Sequence, residues 1–179
     1  PWPPRGWTLV RMNASIRLVL SLAVLAAAPA CSGSDASGPT RTLDTPLAQS
    51  VDVGVMVERH TPFAGDNSRV TDLVDATHVE VIGLRTLALQ TAVAPYGLRV
   101  DFSSVSAGAT RARIDTAMRQ RAVLVMACVD NLGSVSWTAA KLSPATGTLT
   151  RSEAETMAEQ KLVGQCTTSG LQQLIKAIG

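Results

Sequence analysis

The side chains best suited to chemistry lie in one polar segment, residues 58–72. Proline, glycine, aspartate, asparagine and serine are frequent there, which is typical of a loop. Binding residues concentrate on loops held by a rigid scaffold, so this segment is the candidate binding surface, and a merely solvated loop is the alternative. Its candidate residues are Arg59, His60, Asp66, Asn67 and Arg69.

No catalytic or metal-binding pattern accompanies this segment. His60 and His78 stand 18 positions apart, without cysteine or carboxylate at ligand spacing, so we expect no metal site. The chain lacks a nucleophile elbow, a phosphate-binding loop and a dinucleotide glycine pattern, so we expect no catalytic residues and no cofactor. A secreted hydrolase remains an alternative. It requires a cleft that joins His60 to a carboxylate and a serine.

A different chemistry is indicated near the beginning of the chain. Arg17 precedes an apolar run, Leu18 to Ala28, which ends in Pro29-Ala30-Cys31. A basic flank, a short apolar run and small residues at its end predict a secretory signal peptide at 12–30. The run is shorter than the roughly 20 residues of a membrane span. Residues 1–11 are unlike a signal flank and are interpreted as an extension upstream of Met12.

The segment Ala28-Pro29-Ala30-Cys31 resembles the lipobox of bacterial lipoproteins, in which the cysteine is lipidated. Residues 31–50 are predicted to be a flexible tether, because Ser32 to Thr40 are mostly small residues. Ser32 after the cysteine resembles the signal for outer-membrane sorting. We therefore expect a lipoprotein on the periplasmic side of the outer membrane. Simple cleavage after Ala30, giving a soluble periplasmic or secreted protein, is the alternative.

Charge and cysteine content fit an exported protein. Removal of residues 1–30 takes away three of the 16 basic residues and none of the 14 acidic ones. The remaining chain therefore has 13 basic and 14 acidic residues, and this balance gives no case for nucleic acid as a partner. If Cys31 carries lipid, Cys128 and Cys166 remain as an even pair. In an oxidising compartment they form either a disulfide or two buried thiols.

The apolar pattern predicts one mixed α/β (α+β) domain over residues 51–179. We expect strands at 51–57, 98–102, 122–129, 134–142 and 148–150, and helices at 75–96, 107–120, 152–165 and 171–178. Residues 122–129 are nearly all apolar, which is typical of a central strand covered on both faces. The order β-α-β-α-β-β-β-α-α favours a mixed sheet with helices packed on it.

Helix caps and a basic cluster complete the elements. Asp75 is predicted to cap the first helix, and Ser152 with Glu155 to form a capping box.

Four arginines crowd one short segment and are interpreted as a solvated helix face, with binding to anionic lipid or to an acidic partner as the alternative. They are Arg111, Arg113, Arg119 and Arg121.

Three short motifs resemble the TolB amino-terminal-domain-like fold, which recurs in envelope lipoproteins including relatives of the curli secretion protein CsgG. They are Leu84-Arg85-Thr86-Leu87 on a helix, Gly97-Leu98-Arg99-Val100 on a strand, and the run from Ala140 to Gly147. Ser143 and Ala127 stand where that family usually has Asp and Gly. The resemblance implies a non-enzymatic binding or assembly module at the envelope.

The predicted function is therefore a lipid-anchored envelope protein that contacts the membrane through Cys31 and binds a protein partner. A purely structural envelope lipoprotein is a further alternative.

Overall fold

A computed structural model describes residues 41–140 and 146–179. The predicted signal peptide, Cys31 and residues 141–145 lie outside the described residues. The fold is a single mixed α+β domain with a four-stranded mixed sheet and helices packed against it, as the sequence predicts.

The elements follow one another from the end of the predicted tether to the last residue. In chain order they are α1 (Leu47–Ser50), α2 (Val53–Glu58), α3 (Asn67–Ala76), a 3₁₀ turn (Val79–Val81), β1 (Arg85–Gln90), β2 (Tyr96–Phe102), α4 (Arg111–Cys128), β3 (Leu132–Ala139), β4 (Thr146–Thr150), α5 (Arg151–Ala158) and α6 (Thr168–Ile178).

The sheet has the strand order β1-β2-β3-β4. β1 pairs with β2 and β3 with β4 in antiparallel fashion, whereas β2 and β3 are parallel and joined through α4. Parallel neighbours need such a crossover, and a helix commonly provides it. Alternate residues of β2 and β3 are buried, namely Leu98, Val100, Phe102, Val135, Trp137 and Ala139. One face of the sheet therefore packs on the helices, and the other carries mainly polar side chains.

Helix α4 is the centre of the core. All residues from Arg121 to its last residue, Cys128, are buried, because the helix contacts α3, α5, α6 and two strands. A helix that is apolar all round is expected only where other elements surround it. On its sheet side the Asp115 carboxylate accepts a 2.8 Å hydrogen bond from the indole nitrogen of Trp137.

The carboxyl end of α4 is buried together with its carbonyl groups. Arg151, the first residue of α5, donates hydrogen bonds from Nη2 to the carbonyl oxygens of Met126 (2.9 Å) and Val129 (2.8 Å), and from Nε to that of Leu132 (2.9 Å). Burial lowers the pKa of Arg151, and the carboxylates of Glu155 and Asp130 oppose this. A cation also interacts favourably with the negative end of the helix dipole.

The prediction of a central strand at 122–129 is wrong, since these residues form the second half of α4. A continuous apolar run cannot distinguish a buried strand from a buried helix. The helix begins at Arg111, capped by Thr110, and continues eight residues beyond the predicted end at Gln120.

Two further elements at the front of the domain differ from the prediction. The alternating valines at 51–57 lie mainly on α2, which Asp52 caps through a 3.1 Å bond to the Val55 amide. The predicted helix 75–96 is instead the end of α3, the 3₁₀ turn and β1. Its Leu84-Arg85-Thr86-Leu87 run therefore leads into a strand, where Leu87 packs against the core.

The predicted caps and two boundaries are also corrected. Asp75 lies in the last turn of α3 and pairs with Arg85, while Asp66 caps that helix. The capping box is formed by Thr150 and Glu153 rather than Ser152 and Glu155, and α5 ends at Ala158. Within the predicted tether, Leu47–Ser50 forms α1, whose Leu47 is buried.

We predict that Arg151→Met lowers the free energy of unfolding by about 3 kcal/mol. The buried carbonyls of Met126 and Leu132 lose the guanidinium donor, and that of Val129 keeps only the amide of Leu132, while the side-chain stem remains. Chemical denaturation monitored by circular dichroism measures this change. Arg119→Met is the matched control, since Arg119 is exposed, and its effect should stay within about 0.5 kcal/mol. Equal denaturation midpoints for the two variants would contradict the role of Arg151 in capping α4.

We predict that Gly147→Ala destabilises the domain by about 1–3 kcal/mol, because a methyl group at 147 would overlap the indole ring of Trp137. Gly65→Ala is the matched control, since no atom lies within 4 Å of the position that its Cβ would take. Thermal denaturation compares the two variants. A midpoint for Gly147→Ala that equals that of Gly65→Ala would show that the indole moves away without cost.

Candidate functional site

The segment from Arg59 to Arg69 is held at the carboxyl end of α4. The amide of Thr61 donates to the carbonyl of Cys128 (3.0 Å), and the carbonyl of Thr61 accepts from the amide of Asp130 (3.1 Å). These bonds form an isolated parallel bridge between Thr61 and Val129. The predicted loop is therefore fixed to the centre of the fold.

A second bond fixes the middle of the segment. The side-chain oxygen of Asn131 accepts a 2.6 Å hydrogen bond from the amide of Ala64, which is fully buried. Two residues after Ala64, the Asp66 carboxylate accepts from the amide of Arg69 and caps the start of α3. The predicted loop 58–72 thus contains the first turns of a helix. Its irregular part extends only from Arg59 to Asp66.

His60 and Asp130 form the one His–carboxylate contact of this segment. The imidazole Nε2 lies 3.1 Å from the Asp130 Oδ1, and both side chains are partly exposed. The carbonyl of His60 accepts a 2.9 Å bond from Nη1 of Arg69. Between α2 and α3 the pair therefore shapes a polar surface beside the turn that follows α4.

This pair does not satisfy the requirement of the hydrolase alternative. Activation of a nucleophile requires a hydroxyl or thiol within hydrogen-bond reach of the base. Within residues 41–140 and 146–179, no serine, threonine or cysteine side chain is hydrogen-bonded to the His60 ring. The arrangement is suited to binding through hydrogen bonds and charge.

The structure brings three of the five predicted residues, His60, Asp66 and Arg69, into one network of ion pairs and hydrogen bonds, and Arg59 forms a separate ion pair. Besides the contacts of His60, Arg59 pairs with Asp72 (Nε to Oδ2, 3.4 Å), and Arg69 pairs with Asp66 (Nε to Oδ2, 3.5 Å). Asn67 is the first residue of α3, and among the described residues its side chain makes no hydrogen bond. It therefore does not join the network.

Cys128 and Cys166 form a disulfide, one of the two outcomes that the sequence left open. Their Cα atoms are 4.8 Å apart, and the bond joins the end of α4 to the segment before α6. With a sequence separation of 38 residues, the chain-entropy model gives about 4 kcal/mol of stabilisation. The disulfide therefore anchors α6 to the same helix end that holds the candidate surface.

A second polar site is a cleft of about 680 Å³ between the start of the described chain and the 3₁₀ turn. His78 has a left-handed backbone (φ 51°), which is uncommon outside glycine, and its Nδ1 lies 2.7 Å from a carboxylate oxygen of Glu80. An ion pair between Asp44 and Arg113 forms part of the opposite wall. The cleft shares no lining residue with the 59–69 segment.

The four clustered arginines do not form one solvated face. Arg121 is buried and donates to the carbonyls of Thr77 (3.0 Å) and Ala117 (3.2 Å). Burial lowers its pKa to about 10, opposed by the Glu80 carboxylate. Arg111 pairs with Asp115, and Arg119 is exposed. Sequence spacing alone did not distinguish the buried member of the cluster from the solvated ones.

Two features are absent from the residues that the structure describes. No group of three or more His, Cys, Asp or Glu side chains is placed there to hold a metal ion. No helix in the described part of the chain combines the length and hydropathy needed to span a membrane.

Sequence reasoning missed the residues that organise the surface. Asp130 and Asn131 follow α4, and nothing in their spacing links them to positions some 70 residues earlier. The sequence offered one signal: turn-forming polar residues directly follow a long apolar run. The backbone polar groups at the end of a buried run need hydrogen-bond partners nearby, and these polar residues are candidates to organise them.

A family model described as "Domain of unknown function (DUF4825)" matches residues 56–149. No curated protein and no solved structure matches the chain. The matched range begins at the buried Met56 on α2 and ends at Leu149 on β4. It therefore includes the candidate surface, α4 and the whole sheet except Thr150, the last residue of β4.

We predict that Asn131→Ala increases the hydrogen-exchange rate of the Ala64 amide about tenfold, because that amide loses its acceptor. Amides in the sheet should exchange as in the wild type. Asn67→Ala is the matched control and should leave the Ala64 amide unchanged. Equal protection of this amide in both variants would show that Asn131 does not hold the segment.

Proposed function

The chain belongs to the family of domains of unknown function DUF4825, and we propose that it is a lipid-anchored cell-envelope protein whose domain binds a protein partner without catalysis. The proposed anchor is Cys31, and the proposed location is the periplasmic side of the outer membrane. The binding surface is the segment from Arg59 to Arg69.

The single observation that carries the anchoring proposal is the disulfide between Cys128 and Cys166. Structural disulfides are typical of proteins exported to oxidising compartments. The pairing uses two of the three cysteines of the chain and leaves Cys31. A leftover cysteine in an exported protein requires a separate explanation. Its place after a predicted signal peptide and before a small-residue tether supports lipidation.

Binding rather than catalysis is supported by the contacts of the polar side chains. Arg59, Asp66 and Arg69 pair with neighbours of opposite charge, and His60 pairs with Asp130. Such pairs shape and orient a surface, because each charged group has its partner before any ligand arrives. The proposed resemblance to the TolB-like envelope fold agrees with this role. Of its motifs, Gly97–Val100 lies on a strand as expected, whereas Leu84–Leu87 leads into a strand instead of lying on a helix.

Metabolic labelling with radioactive palmitate tests the anchoring proposal. We expect label on the wild-type chain and none on Cys31→Ser, which should move from the membrane fraction to the soluble one. Ser32→Asp is the matched control. It should keep the label and shift from the outer-membrane to the inner-membrane fraction, as the lipoprotein resemblance implies.

The proposal of a lipid anchor is overturned if the wild-type chain carries no label, or if Cys31→Ser stays in the membrane fraction. A soluble, correctly folded Cys31→Ser protein also provides material for binding measurements, because the substitution lies outside the α+β domain.

A further inference from the structure

Phe63 is the exception among the aromatic side chains that the structure describes. Trp137 and Phe102 are almost fully buried, and Tyr96 packs against the core. Phe63 is 65% exposed, and the neighbouring Pro62 is exposed as well. In a chain with only 3% aromatic residues, an aromatic ring outside the core leaves a large apolar surface unburied.

The backbone that carries Phe63 is fixed on both sides of the ring. Thr61 is bridged to Val129, and the amide of Ala64 is bonded to Asn131. Between these points the Phe63 amide donates to Oγ1 of Thr61 (3.3 Å), and the Phe63 carbonyl accepts from the Asp66 amide (3.1 Å). Little ordering entropy remains to be lost when the ring is buried by another molecule.

Acidic groups outnumber basic ones in the segment that carries this ring and in its direct contacts. The segment and its direct contacts carry four carboxylates and two guanidinium groups, and both guanidinium groups pair with carboxylates of the set. The guanidinium of Arg151 also acts on Asp130, which leaves one carboxylate in excess. The carboxylates are Glu58, Asp66, Asp72 and Asp130, and the guanidinium groups are Arg59 and Arg69. An excess of negative charge is repelled by anionic lipid and attracts basic residues.

We propose that Phe63 is the anchor of a protein–protein interface and inserts into an apolar pocket that lysine or arginine residues of the partner surround. This inference rests on the proposed binding function and specifies its surface and the kind of partner. Interfaces of this kind concentrate their binding energy in a few aromatic or arginine side chains encircled by polar groups. The segment that carries Phe63 and its charged residues has that composition.

Site-specific photocrosslinking locates the partner. The photoreactive residue p-benzoyl-phenylalanine replaces Phe63 in the full chain, and intact cells are irradiated. Leu84 is the matched control position, since it is 72% exposed and lies at the opposite end of the sheet from Asn131. We expect a discrete protein adduct at position 63 and none at position 84.

Affinity measurements then test the role of the ring. The protein captured at position 63 is identified, purified and titrated by calorimetry against the wild type, Phe63→Ala and Leu84→Ala. We expect Phe63→Ala to weaken binding at least about tenfold and Leu84→Ala to change it less than twofold. Binding should also weaken when salt rises from 0.15 to 0.5 M.

Three results overturn the inference: no adduct at position 63, adducts of equal intensity at both positions, or equal affinities of Phe63→Ala and the wild type. Flotation of Cys31→Ser with phosphatidylethanolamine–phosphatidylglycerol vesicles tests whether Phe63 binds a membrane instead of a protein. Vesicle binding that depends on Phe63 also overturns it. If a partner binds Phe63→Ala as tightly as the wild type, the proposed binding function survives and this interface alone is rejected.

Discussion

The carboxyl end of α4 places the strictest physical demand on this fold. The helix ends inside the core, where Cys128 and Val129 are completely buried and its last carbonyl groups have no access to water. A buried carbonyl without a donor costs about 1–3 kcal/mol, so several of them together would remove much of the stability of a small domain. Donors must therefore come from other elements.

Two segments distant in sequence meet this demand. Arg151 reaches back from α5 to the carbonyls of Met126 and Val129, and the amide of Thr61 reaches the carbonyl of Cys128. The disulfide adds a covalent link to the segment before α6. The irregular chain between α2 and α3 is thus ordered by the requirements of a buried helix end. Its own side chains add the pairs between His60 and Asp130 and between Arg69 and Asp66.

The sequence was sufficient to locate the elements that have one solvent-exposed face. β2, β3, β4 and α6 lie close to the positions that their patterns predict, because alternation or a helical stripe is visible when half of the residues face solvent. The pattern fails for α4, since a fully buried helix and a fully buried strand are both continuously apolar. It fails for α2 and β1 because valines on a short helix mimic alternation, and tertiary packing overrides local propensity.

The candidate surface was located by composition, but its structure was not predictable in the same way. Polar density between Arg59 and Arg69 identified the segment, whereas its partners Asp130 and Asn131 follow α4 and are brought near only by the fold. Phe63 carried no signal, because an isolated phenylalanine in a sequence is most often a core residue. Its exposure follows from geometry: the bridge at Thr61 and the bond at Ala64 fix the backbone on both sides and leave Phe63 exposed between them. The Thr61 contact that satisfies the end of α4, together with the bond between Ala64 and Asn131, therefore holds this ring in solvent, which makes the surface rigid without any contribution from a partner.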